Sequence, residues 1–338
     1  MDSRLLRLGI VAGLFRLEEP GSAMEILETK LEMTKLSRSW RRDGLEIGFV
    51  PTMGALHEGH LYLMRRARQD CDRLVVSVFV NPLQFGAGED LDAYPRDLEN
   101  DARLAEKVGC DALFAPSVVE MYPHKVETKV TVEGPSQGLC GGSRPGHFDG
   151  VATVVAKLFN IVEPDRAYFG KKDAQQLAVV RKIVDDLDFP VSIVGCPTVR
   201  EPDGLAYSSR NQYLKKEART AAVCLFGGLL EAAKLLESGE RRADRLEKAV
   251  ASVVDAEPLA RLDYAELRDS TTIDKLDRVP ENGEAILAVA AYLSNPGQDA
   301  PAARLIDNVF ILSKDGRVSI DKGVVISGFA SLAENRVG

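Results

Sequence analysis

The sequence predicts an α/β protein: a Rossmann-like parallel sheet with helices on both faces, followed by a smaller α+β C-terminal domain. Between about residues 45 and 196, short β-branched runs alternate with longer segments of helical periodicity. Strands separated by helices imply right-handed crossovers and a parallel sheet that is covered on both faces. Beyond about residue 197, two amphipathic helices precede three apolar strands, which is typical of an α+β unit.

The individual elements follow from these patterns in chain order. In the first part, strands are predicted within residues 45–50, 73–80, 111–116, 166–170 and 191–196. The helices between them are predicted within residues 59–70, 97–109, 150–162 and 172–187. In the second part, we predict helices within 215–239 and 241–254, and strands within 260–269, 285–293 and 303–312. The predicted domains are residues 24–197 and 198–311, with residues 1–23 and 312–338 as extensions without an assigned role.

The composition is that of an ordinary globular protein. Its 338 residues are 45% hydrophobic and 28% charged, and the net charge of −8 argues against a nucleic-acid partner. Five scattered cysteines favour free thiols and therefore a cytoplasmic location. Because no apolar run approaches about 18 residues, we expect no membrane association. Arg7 and Arg16 interrupt the apolar N-terminal patch, which argues against a signal peptide.

The stretch "PTMGALHEGH", from Pro51 to His60, holds two of the four histidines at the junction of a predicted strand and helix. Helix N-termini expose unpaired N–H groups that bind anions, and a glycine lets the backbone approach a phosphate closely. Imidazoles at that point add donors for phosphate oxygens. We therefore favour a nucleotide-phosphate site. One alternative is a β–α turn with incidental histidines, and another is a metal site, although His57 and His60 alone supply too few ligands.

The same stretch resembles the His-x-Gly-His signature of the nucleotidylyltransferase superfamily, in the form carried by the pantothenate synthetase family. The blocks that extend the resemblance, in the family's order, are "VSVFVNPLQFGAGEDLDAYPRDLENDA", "RPGHFDGVATVVAKLFNIVEPDRAYFGKKDAQQ", "PTVREPDGLAYSSRNQYL" and "ARLIDN". The resemblance covers roughly residues 24–310. It implies ATP-dependent condensation of pantoate with β-alanine through pantoyl adenylate, with release of AMP and pyrophosphate. It also implies a homodimer and Mg²⁺ bound mainly through the ATP phosphates, with no metal ligand from the protein.

The resemblance also implies the roles of individual residues. His60 matches the residue that donates a proton, while Gln84 and Gln176 match the pantoate-binding glutamines, Gln84 also approaching β-alanine. The expected ATP contacts are Met53, Gly54, Ala55, Leu56, His57, Glu58, Gly59, His60, Gly170, Lys171, Lys172, Asp173, Val199, Tyr207, Ser208, Ser209 and Arg210. Arg144 and His147 are expected near the substrate pocket or in a structural turn, and acidic residues of "EDLDAYPRD" are expected to help place magnesium.

Four features depart from the family pattern. Lys171 stands where the family often has Glu, and Tyr207 stands where it usually has Met or Leu. Residues 294–301 replace a compact turn, and the tail beyond residue 310 lies outside the resemblance, although "VSIDKGVVISG" has the pattern of a strand pair. The matching region begins near Met24, so we expect the functional unit to begin there.

Two other functions are compatible with part of this pattern. A different nucleotidylyltransferase would use another acid or a phosphate acceptor, but an anionic acceptor favours Lys or Arg where Gln84 and Gln176 stand. A non-catalytic nucleotide sensor would lose phosphate-binding side chains. Those side chains are all present, at His57, His60, Lys172, Ser208, Ser209 and Arg210.

Overall fold

A computed structural model describes residues 23–86, 88–298 and 300–326. Its first part is built on a six-stranded sheet of order β1-β4-β3-β2-β5-β6, in which all neighbouring strands are parallel. The strands are β1 (Glu25–Leu27), β2 (Ile47–Thr52), β3 (Arg73–Val78), β4 (Ala112–Phe114), β5 (Arg166–Gly170) and β6 (Ser192–Cys196). The predicted Rossmann-like sheet is confirmed.

Consecutive residues of a strand point to opposite faces of the sheet, and helices cover both of these faces. The helices are α1 (Lys30–Arg42), α2 (Glu58–Asp70), α3 (Leu98–Lys107), α4 (Val118–Met121), α5 (Leu139–Ser143), α6 (His147–Val162) and α7 (Ala174–Asp186). Phe49 of β2 belongs to the core shared with α1, α6 and α7, whereas its neighbour Val50 packs with α2 and α3. The alternating strands and helices of the sequence therefore give the three layers that were predicted.

The second part contains three helices and an antiparallel sheet of order β11-β10-β9-β8. The helices are α8 (Lys216–Ala221), α9 (Cys224–Glu237) and α10 (Ala243–Asp255), and the strands are β8 (Ala260–Asp269), β9 (Gly283–Leu293), β10 (Ala303–Lys314) and β11 (Arg317–Asp321). The single helix predicted over residues 215–239 is divided. At the division the Val223 N–H bonds to the Thr220 carbonyl, three residues back, so the α-helical pattern is interrupted.

The tail beyond residue 310 joins both parts of the molecule. Its described part completes β10, forms β11, and includes β12 (Val324–Val325), which pairs in parallel with β7 (Val199–Arg200). The predicted domain boundary near residue 197 falls between β6 and β7 and stays a prediction. Residues 1–22, on which the expected start near Met24 depends, and residues 327–338 of the predicted C-terminal extension lie outside the described residues. Within the described chain, no helix has the length and apolarity needed to span a bilayer.

Candidate functional site

Two neighbouring cavities lie at the carboxyl edge of the parallel sheet, where ligands of such folds bind. The smaller, of about 230 Å³, collects most of the predicted site, and its lining includes Met53, His57, Gly59, His60, Gln84, Gly170, Lys172, Asp173, Gln176, Val199, Tyr207, Ser208, Ser209 and Arg210. The larger, of about 450 Å³, shares part of this lining and extends to residues of β8, β9 and β10. Gly54, Ala55, Leu56, Glu58 and Lys171 do not line the smaller cavity.

The loop after β2 is shaped by two successive residues in the left-handed region. Gly54 has φ of 82° and Ala55 has φ of 51°, and the second is unusual for a residue with a side chain. The Asp101 carboxylate, from α3, accepts hydrogen bonds from the Ala55 N–H (3.0 Å) and the Leu56 N–H (2.7 Å). Asp101 is buried, and burial raises its pKa while these two amide donors lower it. Asp101 therefore holds the loop that leads to the histidines.

The two histidines are oriented by the start of α2. His57 Nδ1 accepts from the Gly59 N–H at 3.1 Å, and the His57 N–H donates to His60 Nδ1 at 3.4 Å. A Cβ at position 59 would lie 2.8 Å from the His57 ring, so the ring can fold back only over a glycine. Because Nδ1 of each ring is an acceptor, a neutral imidazole carries its proton on Nε2. Both rings, with centroids 4.1 Å apart, are thereby set as Nε2–H donors.

The electrostatics of the cavity keep these rings neutral. Burial lowers the pKa of His57 well below its ordinary value, and the nearby His60 and Lys172 add to this effect. Burial also lowers the pKa of His60 to about 4, which Asp173 partly opposes. An anion therefore meets two neutral Nε2–H donors, because a second proton on either ring would have to occupy the Nδ1 atom that accepts a backbone N–H.

The turn after β5 presents Lys172 and Asp173 to both cavities. Asn308 of β10 holds this turn, since its side-chain amide donates to the carbonyls of Lys171 (3.0 Å) and Lys172 (2.8 Å). Asp173 makes no side-chain capping hydrogen bond to α7, and its carboxylate lies 3.7 Å from the Lys172 ammonium. The Lys171 ammonium instead contacts Asp321 at 2.9 Å.

Gln84 lies in a short 3₁₀ turn (Pro82–Gln84) after β3 and is buried. The Asn81 amide donates to Gln84 Oε1 at 2.9 Å and so sets the orientation of the Gln84 side chain. The Gln84 carbonyl accepts from His147 Nδ1 (2.8 Å) and Arg144 Nη2 (3.2 Å). The turn is pressed against α6, because a Cβ at Gly150 would lie 2.2 Å from the Leu83 carbonyl oxygen. Arg144 and His147 thus hold the backbone that carries Gln84.

The adjacent glutamines of "KKDAQQ", Gln175 and Gln176, differ in their contacts. Gln175 is buried, and its amide donates to the carbonyls of Pro135, Gln137 and Gly138, each at 3.1 Å. Gln176 lines both cavities. Gln175 lines only the larger cavity, whereas Gln176 also reaches the smaller one, and its role stays a prediction.

The segment Ser208–Arg210 closes one side of the smaller cavity and contacts the acidic "EDLDAYPRD" segment. Arg210 pairs with Asp90 at 3.1 Å, and Ser209 Oγ lies 3.3 Å from the Tyr94 hydroxyl. Glu89 pairs with Arg144. These carboxylates are neutralised by arginines, and among the described residues no three Asp, Glu, His or Cys side chains converge on a metal position.

Sequence reasoning missed two features of the site. Asp101 stands within one of the quoted blocks, but nothing in its local pattern indicates that its carboxylate reaches amides 45 and 46 residues earlier. The ring of Tyr207, one of the expected ATP contacts, stacks on His57 with centroids 6.0 Å apart. Aromatic character at that position is the only signal for this contact.

Comparison with known proteins gives consistent similarities over most of the chain. Residues 25–310 match the family model for pantoate-beta-alanine ligase. A pantothenate synthetase from Heliobacterium modesticaldum is 56% identical over 288 residues, which are 85% of this chain and 99% of the relative. One from Clostridium botulinum is 47% identical over 285 residues, covering 84% of this chain and 98% of the relative.

Solved structures agree with these sequence similarities. The crystal structure of pantothenate synthetase from Thermus thermophilus has a TM-score of 0.75 at 48% identity, covering 84% of this chain and 98% of that one. The pantoate-beta-alanine ligase from Francisella tularensis, complexed with beta-gamma ATP and beta-alanine, has a TM-score of 0.66 at 33% identity. That match covers 85% of this chain and 97% of the other.

Proposed function

The chain belongs to the pantoate–β-alanine ligase family, and from this premise we propose how its residues carry out the reaction. The protein is an ATP-dependent ligase that condenses pantoate with β-alanine to form pantothenate. The observation that carries the residue assignments is the shared lining of one cavity. The histidine donors, Lys172 and both glutamines expected to bind pantoate surround the same space.

The reaction has two steps with different electrostatic demands. A carboxylate oxygen of pantoate attacks the α-phosphorus of ATP, the bond to the β-phosphate oxygen breaks, and pyrophosphate leaves. The amine of β-alanine then attacks the acyl carbon of pantoyl adenylate, AMP leaves with the bonding electron pair, and the nitrogen loses a proton. Positioning and charge stabilisation are therefore the main tasks of the protein.

We assign the phosphate-binding role to the imidazoles of His57 and His60 and to the Lys172 ammonium. Both rings offer an Nε2–H donor that backbone amides have already oriented, so little reorganisation is needed as charge develops. Lys172 adds a positive charge next to them, and Arg210 of the Ser208–Arg210 segment supplies a second. Loss of one such donor typically costs about 10²–10³ in rate.

We assign pantoate recognition to Gln84 and Gln176, and a further contact with β-alanine to Gln84. An amide both donates and accepts, which suits the hydroxyl groups of pantoate. Asn81 supports this role because its side-chain amide donates to Gln84 Oε1 and so fixes the orientation of the Gln84 amide. A neutral pair at these positions also avoids the charge that a phosphate acceptor would favour.

Mg²⁺ is proposed to reach the site with ATP, held by phosphate oxygens and water. Glu89 and Asp90 are each paired with an arginine, and the Asp101 oxygens accept backbone N–H groups. The ion would supply charge neutralisation on the phosphates, while the chain's residues orient them. Dialysis against EDTA should abolish turnover, and added Mg²⁺ should restore it.

A homodimer in the cytoplasm is the proposed state of the protein. The exposed apolar side chains of Leu31 and Val119 lie on elements joined by a bond from the Lys30 N–H to Glu120, and they offer an apolar surface. All five cysteines are free thiols, which suits a reducing compartment. Sedimentation at micromolar concentration tests the dimer.

Pantoate-dependent exchange of labelled pyrophosphate into ATP tests the reaction. A ligase that forms pantoyl adenylate shows exchange without β-alanine and makes pantothenate when β-alanine is added. Exchange that does not depend on pantoate would favour a different acceptor. ATP binding without exchange would favour a nucleotide sensor.

A further inference from the structure

The tail beyond residue 310 contacts the turn that carries Lys172 and the strand that carries Val199. The family match ends at residue 310, and the Heliobacterium relative is matched over 99% of its length although only 85% of this chain takes part. Residues 317–326 therefore lie outside the part of the chain that the family model describes. We call these residues the C-terminal strap.

The strap first contacts the turn that carries Lys172. Asp321 Oδ2 accepts a hydrogen bond from Lys171 Nζ at 2.9 Å, and the Lys171 ammonium also lies 4.7 Å from the centroid of the Phe310 ring. Two adjacent lysines on one turn repel each other and compete for the same phosphate. Because Asp321 holds the Lys171 side chain away from the cavities, Lys172 is the one of the two lysines that lines them.

The strap next pairs with β7, which carries the predicted nucleotide contact Val199. The Val324 N–H donates to the Thr198 carbonyl at 2.8 Å, and the Ile326 N–H donates to the Arg200 carbonyl at 3.1 Å. The Val199 carbonyl accepts from the Tyr207 N–H at 3.0 Å. The strap, β7 and the start of the Ser208–Arg210 segment are thus joined by successive backbone hydrogen bonds.

The fit between the strap and β7 depends on one glycine. Gly323 has φ of 84°, and a Cβ at this position would lie 2.3 Å from the Thr198 carbonyl oxygen. Its N–H donates to Asp321 Oδ1 at 3.0 Å, so the residue that closes on β7 also orients the Asp321 carboxylate. A side chain at position 323 would push the strap away from the strand.

We propose that the C-terminal strap positions the ATP-binding residues of this ligase, with Asp321 acting through Lys171 on the Lys172 turn and β12 acting through β7 on Val199. The proposal rests on the proposed ATP-binding roles of Lys172 and Val199. It makes the strap part of the nucleotide site of this chain, although no strap residue lines either cavity.

The first test compares two single substitutions in the strap. Asp321→Asn removes the charge that holds Lys171 and should raise the KM for ATP about two- to fivefold, the range of a partly exposed ion pair. The KM for pantoate and the melting temperature should stay unchanged. Lys322→Gln is the matched control. It breaks only the side-chain pair of Lys322 with Glu237, at 2.7 Å, and this pair contacts neither β7 nor the Lys172 turn. The charge swap Lys171→Asp with Asp321→Lys should restore the KM for ATP.

The second test compares two truncations. A chain ending at Lys322 lacks β12, whereas a chain ending at Ile326 keeps every described residue. The shorter chain should show a rise of about tenfold in the KM for ATP, from the loss of two backbone hydrogen bonds. The longer chain should behave as the full protein does. Gly323→Ala should raise the KM for ATP as the shorter chain does, because the added Cβ would lie 2.3 Å from the Thr198 carbonyl oxygen.

Lys172→Ala in the full chain separates the strap proposal from the proposed function. An unchanged KM for ATP in that variant would overturn the proposed phosphate-binding role. A raised KM for ATP in Lys172→Ala, together with strap variants that match the full protein, would overturn the strap proposal alone. Strap variants that change the KM values for ATP and pantoate equally, or only lower the melting temperature, would also overturn it.

Discussion

A buried ion pair between Arg200 and Asp307 joins β7 to β10. Arg200 is 0% exposed and Asp307 is 3% exposed, and the guanidinium donates to both carboxylate oxygens at 2.6 and 2.9 Å. Its remaining N–H groups donate to the carbonyls of Gly204 (3.1 Å), Asn308 (3.2 Å) and Lys322 (2.6 Å). Every direction of the guanidinium fork therefore has an acceptor, and each acceptor is a protein oxygen.

Asp307→Asn is expected to destabilise the protein by about 3–5 kcal/mol, the usual cost of removing one partner of a buried pair. The asparagine has one acceptor oxygen instead of two, so its NH₂ group would face an N–H of Arg200. The guanidinium would keep its charge without a counter-charge, at a place that solvent does not reach. At an unfolding entropy of about 2.1 cal/mol/K per residue, a loss of this size corresponds to a fall of roughly 4–7 °C in melting temperature.

Urea unfolding followed by far-UV circular dichroism measures the change. Asp186→Asn is the matched control, because it makes the same chemical change at a pair with Lys182 whose side chains are 53% and 49% exposed. That control should change the unfolding free energy by less than about 0.5 kcal/mol. A loss below about 1 kcal/mol for Asp307→Asn would show that water or a rearranged acceptor replaces the carboxylate, and would refute the reasoning.

Four further predictions address the site and the chain ends. His60→Ala should slow pantoate-dependent pyrophosphate exchange by about 10² or more, while preformed pantoyl adenylate and β-alanine still react much better; equal losses in both steps would remove the distinction. Gln84→Ala or Gln176→Ala should raise the KM for pantoate or lower turnover with ATP affinity nearly intact, because each leaves substrate hydroxyls unpaired at about 1–3 kcal/mol; an equal loss of ATP affinity contradicts the assignment. Burial lowers the pKa of His60 and of His147 to about 4, so the unfolded chain takes up protons first as the pH falls from about 6.5. Stability should therefore be complete above about pH 6.5 and fall by about 1–3 kcal/mol per ring towards pH 4, and urea unfolding of His147→Asn should show a weaker dependence than the unchanged protein. Deletion of residues 1–23 should leave activity and melting temperature unchanged, and loss of folded protein would show that these residues are structural.

Local pattern was sufficient for the parallel sheet and for the position of the glycine-containing loop between β2 and α2. The apolar run before Pro51, the glycines after it and the periodic segment after His57 each have a direct structural meaning within a few residues. The resemblance then selected Gln176 over its neighbour Gln175. That assignment stays a prediction; in the structure the Gln175 amide donates to three backbone carbonyls.

Other features depend on partners that are remote in sequence. The division between α8 and α9 leaves the helical periodicity of the side chains almost unchanged, so the pattern does not indicate it. Asp101 has its meaning only beside the Ala55 and Leu56 amides, and β12 only beside β7. Likewise, the proton positions on His57 and His60 follow from hydrogen bonds that exist only once α2 has formed.

The acceptors of the five Arg200 donors are made at different times during synthesis. All six strands of the parallel sheet are complete by Cys196, so that sheet precedes Arg200 on the growing chain. The last acceptor, the Lys322 carbonyl, follows 122 residues later. At about 5–20 residues per second, a ribosome takes roughly 6–24 s to make that stretch. During this interval Arg200 lacks the acceptors that residues 307, 308 and 322 supply, so its guanidinium stays hydrated until β10 and the residues after it have been made.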